Sequence, residues 1–231
     1  MLVLHGFTGV PMSMRPLAEA FADAGFGVEL PRLPGHGTTP EDLAERGFED
    51  WYATAEAAYL ELAAAHERVV AVGMSMGGTL ACALATNHPE LAGLILINPF
   101  IEPHPDSFVE LLGQMLSSGA RSIPSIGSDI NRPGVSGGGY GETPIAPLLS
   151  LVEAVRALAP RLGGITCPVL LFSSRVDHVV PTSTGDYFES KVAGPLERVH
   201  LEHSFHVATL DQDAAELEAR AVAFAQKVTA S

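Results

Sequence analysis

Cysteine and aromatic residues are scarce in this chain of 231 residues. Its two cysteines, Cys82 and Cys167, are too few for a disulfide framework, so we expect both to be buried thiols in a reducing compartment. Aromatic residues make up 6% of the chain, whereas hydrophobic residues as a whole make up 47%. An apolar fraction of this size, carried largely by alanine and leucine, favours helices packed on a sheet over an all-β sandwich.

Positive charge is also scarce. Thirteen lysine and arginine residues stand against 27 aspartate and glutamate residues, which gives a formal net charge of −14 at pH 7. The lack of a basic stripe argues against binding to nucleic acid, and anionic membrane surfaces would repel the chain. We expect a protein that is kept dissolved by its acidic surface, is a monomer or homodimer, and binds a neutral small molecule.

The sequence has no long hydrophobic run. The longest candidate, LAGLILI at residues 91–97, is far too short to span a bilayer. The opening stretch MLVLHGFTG has neither the basic region nor the long apolar segment of a secretory signal peptide. These features predict a cytoplasmic protein without stable membrane association.

Short apolar runs alternate with helical patterns along most of the chain. Continuous apolar runs are typical of strands that are covered on both faces in a parallel sheet. Such strands are predicted at residues 2–5, 26–30, 69–73, 94–98, 168–174 and 196–202. Helices are predicted after a cap at Ser13 and at about 49–66, 76–87, 148–161, 182–192 and 211–228. This order predicts an α/β fold with right-handed helical crossovers.

Residues 99–150 interrupt the alternation. They contain many prolines and glycines, yet their middle, SFVELLGQMLSSG at residues 107–119, has a helical pattern. A segment of this length is too long for a plain connection. We interpret it as a cap inserted between two parts of one core, residues 1–98 and 151–231. A mobile surface loop without a function is the alternative.

The stretch VGMSMGG at residues 72–78 places Ser75 between Gly73 and Gly77. In a G-x-S-x-G pattern the serine occupies a strained turn, and larger side chains at the flanking positions would clash there. The pattern requires a strand before the serine and a helix after it, and both are predicted here. It therefore predicts an exposed nucleophilic hydroxyl at the carboxyl end of a central strand.

A serine needs a base and an orienting acid to act as a nucleophile at neutral pH. In this kind of fold the acid follows the serine in the chain, just after a later strand, and the base follows the acid. Asp177 fits because it lies just after the strand at 168–174. Other downstream acids lie within predicted helices, in the last strand or beyond the turn: Glu153, Asp186, Glu189 and Glu202.

Three histidines could supply the base. His206 lies in the loop after the last strand and is preferred over His203, which ends that strand, whereas His200 lies inside it. The run HLEHSFH could also suggest metal ligation. Its spacing is not that of a helical ligand pair, however, and no cysteine or acidic cluster supports it, so no metal is expected.

Two backbone amides are candidates for an oxyanion hole. The N–H of Met76 follows the nucleophile and stands at a helix N-terminus. Phe7 follows the first strand in the motif HGF, a place from which the second donor usually comes. A core position for the Phe7 side chain is compatible with this role, because the chemistry would use its backbone.

Longer motifs resemble those of bacterial α/β-hydrolase carboxylesterases and monoacylglycerol lipases over almost the whole chain. They are LHGFTG near the start, PRLPGHG at 31–37, Asp50–Trp51, GMSMGG at 73–78, DHVVP at 177–181 and SFHVATLD at 204–211. The resemblance implies an α/β-hydrolase fold, with a mainly parallel sheet flanked by helices and a small inserted cap. The pair of strands that usually precedes the LHG strand in this family is absent.

The same resemblance implies a serine esterase. Ser75 corresponds to the nucleophile, Asp177 to the acid and His206 to the base, while Phe7 and Met76 correspond to the oxyanion-hole positions. The implied reaction is hydrolysis of monoacylglycerols or of short- or medium-chain acyl esters through an acyl-enzyme, without a cofactor. The alternatives are carbon–carbon bond hydrolysis or perhydrolysis at the same site, or a non-catalytic binding protein.

The cap segment also resembles the monoacylglycerol lipase branch, through GSDINRPG at 127–134 and YGETP at 140–144. Related lipases use an acidic side chain shortly before this tyrosine to recognise glycerol. Here three glycines, residues 137–139, precede Tyr140, which weakens the case for monoglyceride selectivity. Apolar side chains of the cap and beside the acid are candidates for an acyl pocket: Leu111, Leu112, Ile123, Ile126, Leu148 and Val179.

Overall fold

The computed structural model describes residues 1–230. Its strands, in chain order, are β1 (Leu2–Leu4), β2 (Val70–Met74), β3 (Gly93–Ile97), β4 (Ser122–Pro124), β5 (Glu142–Pro144), β6 (Val169–Ser174) and β7 (Leu196–Leu201). Five of them form one parallel sheet in the order β1-β2-β3-β6-β7, and β4 pairs antiparallel with β5. The predicted α/β fold with a parallel sheet is therefore confirmed.

Eight α-helices lie within the described residues. They are α1 (Arg15–Asp23), α2 (Pro40–Ala44), α3 (Phe48–Ala65), α4 (Met76–Asn87), α5 (Asp106–Ser117), α6 (Ile145–Leu158), α7 (Thr184–Glu189) and α8 (Ala214–Thr229). Short 3₁₀ turns cover Pro11–Ser13, Ala159–Gly164 and Ala208–Leu210. None of the helices in residues 1–230 has the length and apolar character that a membrane crossing requires.

Helices cover both faces of the parallel sheet. On one face, Leu94 and Leu171 pack in a cluster with Trp51 of α3 and with side chains of α4 and α6. On the other face, Ile95 and Phe172 pack with side chains of α1 and α8. All five residues are fully buried, and each such side chain contributes about 1.5–3 kcal/mol to folding. Burial on both faces explains why these strands are apolar without alternation.

Two local predictions were wrong. The strand expected at residues 26–30 is reduced to a single β-bridge between Glu29 and Leu2. Pro31 follows at once and has no N–H to extend the pairing. Ser13 does not cap a helix, because its hydroxyl donates to the carbonyl oxygen of Val10 within a 3₁₀ turn.

Both cysteines are free thiols. Cys82 lies in α4 and is fully buried, and this burial strongly raises the pKa of its thiol. Cys167 is only half-buried, which corrects the expectation that both thiols are buried, and its burial raises the pKa to about 11. Neither thiol is activated as a nucleophile by its surroundings.

The segment predicted as a cap, residues 99–150, contains α5, β4, β5 and the first turns of α6. We call it the cap segment. Helix α5 packs against α6, and Ile123 of β4 pairs with Thr143 of β5. The connection between β4 and β5, residues 125–141, has no helix or strand, and we call it the cap loop.

Candidate active site

Ser75 stands between the end of β2 and the start of α4. Its φ of 54° and ψ of −121° lie outside the usual regions, a conformation that costs on the order of 1–3 kcal/mol. Backbone hydrogen bonds hold it there: its N–H donates to Ile97 O at 3.1 Å, and its carbonyl accepts from Gly78 N at 2.9 Å and Phe100 N at 3.1 Å. The turn therefore fixes the serine relative to β3 and α4.

The glycines that flank Ser75 allow backbones to meet. A Cβ on Gly77 would lie 2.1 Å from the carbonyl oxygen of Leu4 in β1, and a Cβ on Gly73 would lie 2.1 Å from the carbonyl oxygen of Gly77. Real side chains do not approach that closely. The glycines of the G-x-S-x-G pattern are therefore required where β1 and β2 meet the N-terminus of α4.

Asp177 and His206 form a buried pair. Nδ1 of His206 lies 2.8 Å from Oδ2 of Asp177, and the two side chains are 6% and 2% exposed. Oδ1 of Asp177 accepts two N–H groups, from Val179 and Val180, both at 2.8 Å. Because an ionised carboxylate only accepts, the proton of the neutral imidazole lies on Nδ1, and in that tautomer the other ring nitrogen, Nε2, keeps its lone pair.

Ser75 and His206 line one cavity of about 280 Å³, together with Phe7 and Met74. Asp177 is not part of the lining and reaches the cavity only through the imidazole. A nucleophile and a base that share one cavity, with an orienting acid behind the base, are the arrangement that acyl transfer requires.

The other candidate histidines differ from His206 in burial. His203 is exposed, and its N–H donates to Asp213 at 2.9 Å. His200 is exposed within β7. In residues 1–230, no group of three potential ligands is arranged to hold a metal ion.

The two predicted oxyanion donors flank the serine. A Cβ on Gly6 would lie 3.3 Å from Cβ of Ser75, so the loop that carries Phe7 runs directly beside the nucleophile. Met76 is the first residue of α4, where an N–H has no partner inside the helix. Among residues 1–230, neither amide donates to another backbone group.

Buried histidines support the loop that carries Phe7. The N–H of Leu33 donates to Nε2 of His5 at 3.2 Å, so Nδ1 of His5 carries the proton and donates to the Gly6 carbonyl at 3.0 Å. The ring of His36 packs edge-on against those of His5 and Phe7. Sequence reasoning assigned these histidines no role, although both lie in motifs that carried the family resemblance.

Both supporting histidines are neutral at physiological pH. Burial lowers the pKa of His5 to about 3, and the nearby His36 adds to the shift. Burial also lowers the pKa of His36 to about 4, against the opposing effect of hydrogen bonds to the Pro34 and Leu33 backbone. Both side chains are fully buried, so a charged imidazole would be costly at either position.

The apolar wall of the cavity agrees with the predicted acyl pocket at four positions, Ile123, Ile126, Leu148 and Val179. Leu111 and Leu112 need correction. Leu111 is 50% exposed and Leu112 is buried in α5, and neither lines the cavity. The remaining apolar lining was not predicted as part of this pocket: Phe7, Met74, Phe100, Phe108, Pro124, Leu151 and Val207.

Tyr140 joins the cap loop to the loop that follows β1 and to the loop that precedes α2. Its hydroxyl donates to the Gly35 carbonyl at 2.7 Å and accepts from Thr38 N at 2.9 Å, and its N–H donates to Thr8 O at 3.2 Å. Gly137 and Gly139 line the cavity, so this part of the wall presents backbone and no acidic side chain.

The loop between β7 and the 3₁₀ turn at Ala208, residues 202–207, carries His206, and we call it the histidine loop. Polar side chains that were not predicted from the sequence hold this loop. Asn98, at φ 42°, donates to the His206 carbonyl and to Ser174 Oγ, both at 2.9 Å, and accepts from Ser174 N at 2.8 Å. Asp129 of the cap loop contacts the loops of both Asp177 and His206. Asp129 lies in the motif GSDINRPG, but nothing in the local sequence marks the role of either residue, because each acts on chain segments far away in sequence.

A parallel sheet with a strained serine after an inner strand, followed by an acid and a histidine after later strands, defines the α/β-hydrolase class. A family profile described as "alpha/beta hydrolase fold" matches residues 1–118. The chain belongs to this family, which confirms the resemblance inferred from its motifs.

Two curated relatives match nearly the whole chain. A thermostable monoacylglycerol lipase from Bacillus sp. (strain H-257) is 41% identical over 230 residues, which are 98% of this chain and 90% of the lipase. A carboxylesterase from Bacillus subtilis (strain 168) is 27% identical over 215 residues, which are 92% of this chain and 86% of the esterase.

Among solved structures, a chain described under "LipS and LipT, two metagenome-derived lipolytic enzymes" superposes with a TM-score of 0.93. It is 38% identical, and the match covers 98% of this chain and 92% of that one. The fold of this chain therefore matches that of the lipolytic enzyme over nearly the full length of both chains.

Proposed function

We propose that this chain is a carboxylic ester hydrolase that acts through an acyl-enzyme on Ser75. The observation that carries the proposal is the buried hydrogen bond of 2.8 Å between Asp177 and His206, whose imidazole shares a cavity with the strained Ser75. The lipase and esterase relatives support the same activity, because they match this chain over almost its entire length.

In the first step, Oγ of Ser75 attacks the ester carbonyl carbon while Nε2 of His206 takes the hydroxyl proton. The carbonyl π electrons move to oxygen, and the N–H groups of Phe7 and Met76 stabilise this oxyanion. Asp177 keeps the proton of His206 on Nδ1 and stabilises the imidazolium that forms. One oxyanion donor of this kind is worth about 10²–10³ in rate.

The tetrahedral intermediate then expels the alcohol, which receives the proton from Nε2 of His206. The acyl group remains on Ser75. Water next loses a proton to His206 and attacks the acyl carbon, and collapse of the second intermediate returns the proton to Ser75 and frees the acid. The two steps together consume one ester and one water and need no other reactant.

The cap segment, residues 99–150, completes the substrate site in this proposal. Ile123, Ile126 and Leu148 supply an apolar wall, and Val179 supplies another from beside the acid. A cavity of about 280 Å³ is at the small end of ligand sites, which favours short- or medium-chain acyl groups. The glycine-lined part carries no charge, which suits simple alkyl esters as well as monoacylglycerols.

A fluorophosphonate probe tests the nucleophile. We expect it to label the native protein with one adduct at Ser75, located by peptide mass spectrometry, and to leave Ser75→Ala unlabelled. Equal labelling of the two proteins would disprove the assignment. A panel of p-nitrophenyl esters from acetate to palmitate tests the reaction, and no turnover at any chain length would favour a non-catalytic protein or a different reaction.

Monoacylglycerols and ethyl esters with the same acyl chain test the alcohol preference. Because the cavity wall near Tyr140 lacks an acidic side chain, we expect kcat/KM values that agree within about tenfold. A preference for the monoacylglycerol of more than 100-fold would show that other groups recognise glycerol.

A further inference from the structure

Asp129 is a buried carboxylate of the cap loop, with a side chain that is 8% exposed. Its Oδ2 accepts the backbone N–H of His206 at 3.2 Å and that of His178 at 3.1 Å. Its Oδ1 lies 2.8 Å from Nδ1 of His178, and its own carbonyl accepts Val207 N at 3.0 Å. One cap residue therefore contacts the base itself and the neighbours of both acid and base.

These bonds act on backbone that the sheet does not fix. Asp177 and His178 lie beyond the end of β6, and His206 lies beyond the end of β7. The Asp177–His206 hydrogen bond depends on the distance between these two loops. A single carboxylate oxygen that accepts one N–H from each loop sets that distance directly.

A second carboxylate joins the cap loop to the histidine loop. Asp211, which is fully buried, accepts Asn131 N at 2.7 Å and Arg132 N at 2.9 Å from the cap loop, and Phe205 N at 2.8 Å from the histidine loop. The stretch around Asp129 is therefore held in place independently of Asp129's own side-chain bonds. A substitution at Asp129 can remove the contact with His206 without releasing this stretch of the cap loop.

We propose that Asp129 is a positioning residue, which holds the backbone of His206 and His178 so that the Asp177–His206 pair keeps its geometry. This inference rests on the proposed function. It also gives the cap segment a part in the chemical step, besides forming a wall of the cavity. A misplacement of about 1 Å in such a pair costs on the order of 100-fold in rate.

Two substitutions separate acceptor geometry from charge. Asp129→Ala removes every side-chain acceptor. Asp129→Asn keeps an oxygen that can accept the N–H groups of His206 and His178, and its amide can donate to Nδ1 of a neutral His178. A positioning role by geometry therefore predicts a large loss of activity for alanine and substantial rescue by asparagine.

Asp213→Ala is the matched control. Asp213 also accepts two backbone N–H groups of the histidine loop, from His203 and Ser204 at 2.9 Å, but it contacts neither His206 nor the cap loop. A general loosening of the loop would affect both variants. Loss of the contact with His206 affects only the variant at Asp129.

The experiment measures kcat and KM for p-nitrophenyl acetate and p-nitrophenyl decanoate, together with the melting temperature. For Asp129→Ala we expect kcat to fall about 10–100-fold by a similar factor on both esters, with KM within about threefold of native. Asp129→Asn is expected to retain at least about a third of the native kcat, and Asp213→Ala to stay within about twofold. If Asp129→Ala does not fold, Asp129→Ser, which is too short to reach the amides, replaces it with the same expectations.

Three results would overturn the inference: an equal kcat loss in Asp129→Ala and Asp213→Ala, a loss confined to KM for the decanoate, or an asparagine variant as slow as the alanine variant. Each would reduce Asp129 to a structural support of the cap. Failure of the proposed function looks different, because the native protein would then turn over neither ester, or Ser75→Ala would keep native hydrolysis and probe labelling.

Discussion

The nucleophile turn, residues 73–77, and the cap loop line one cavity and are held by different physical interactions. Around Ser75, backbone packs against backbone so closely that a single added carbon at Gly77 would lie 2.1 Å from another main-chain atom. In the cap loop, residues 125–141, an added Cβ would meet no atom within 4 Å at Gly127, Gly134 or Gly141. The fixed points there are carboxylates and hydroxyls bonded to backbone N–H groups, such as Asp129.

This difference separates what each region can tolerate. Close backbone packing fixes the nucleophile, and this packing does not depend on side-chain hydrogen bonds that water could replace. We therefore expect the turn to keep its conformation over a wide range of conditions. Hydrogen bonds to carboxylates contribute only about 1.5–3 kcal/mol each and can be exchanged for bonds to water. We therefore expect substitutions in the turn to abolish function and substitutions in the cap segment to adjust it.

The largest effect is expected from the base. His206→Ala should lower kcat/KM for p-nitrophenyl butyrate by about 10⁴-fold or more, because Ser75 then has no group to take its proton. The melting temperature should change little by comparison. The measurement is steady-state hydrolysis, corrected for the uncatalysed rate.

His203→Ala is the matched control for the base, since His203 is an exposed histidine of the same loop. We expect its kcat/KM to stay within about twofold of native. A loss at His203 as large as that at His206 would contradict the choice of base between the two histidines.

The next effect concerns the close backbone packing at the nucleophile turn. Gly77→Ala places a carbon against the Leu4 carbonyl oxygen, and neither backbone can move away without disrupting β1 or α4. We expect a loss of stability above the usual cost of overpacking, about 1–3 kcal/mol, with little folded protein. Chemical denaturation followed by circular dichroism measures it; a variant with native stability would show that the turn is not sterically fixed.

Acid should lower the free energy of unfolding, because two buried histidines beside the site are neutral in the folded protein. The pKa values of His5 and His36 are lowered to about 3 and about 4 in the folded protein, from the ordinary histidine value of 6.5. As the pH falls below 6.5, the unfolded chain binds protons that the folded chain does not, so the free energy of unfolding decreases until the pH approaches the folded pKa values.

Between pH 7 and pH 5 this linkage amounts to about 2 kcal/mol for each histidine. Urea unfolding at the two pH values measures the difference. His36→Phe, which removes one of the two groups, should reduce that difference by about half. A pH dependence that is the same in the variant and the native protein would show that His36 titrates equally in both states.

The sequence predicts the nucleophile turn well because its information is local. Gly73 and Gly77 contact each other, and both lie within two residues of Ser75. The flanking apolar runs identify β2 and α4 directly. The parallel sheet follows from the same apolar runs. Asp177 and His206 could be chosen by their order after strands, and the structure brings them within hydrogen-bond distance.

The cap segment was predicted less well because its contacts are long-range. The helical pattern at residues 107–119 locates α5 but not the face that it turns to the cavity, so Leu111 and Leu112 were wrongly assigned to the lining. Asp129 lies 77 residues before His206, and the motif GSDINRPG that contains it does not show which distant backbone it binds. The strand expected at 26–30 failed because pairing depends on a partner edge, which apolar content alone does not reveal.

The smallest expected effect tests the tolerance of the cap segment. Gly113 lies inside α5, and a Cβ there would meet no atom within 4 Å. Gly113→Ala should therefore raise the free energy of unfolding by about 0.5–1 kcal/mol, because alanine loses less backbone entropy in a helix than glycine, and should leave kcat unchanged. Gly113 and Gly77 both lie in helices, so opposite signs for the same substitution would separate open helix surface from backbone contact. A destabilised Gly113→Ala variant would mean that α5 packs more tightly than its open surroundings indicate, and the contrast between the two regions would then be one of degree.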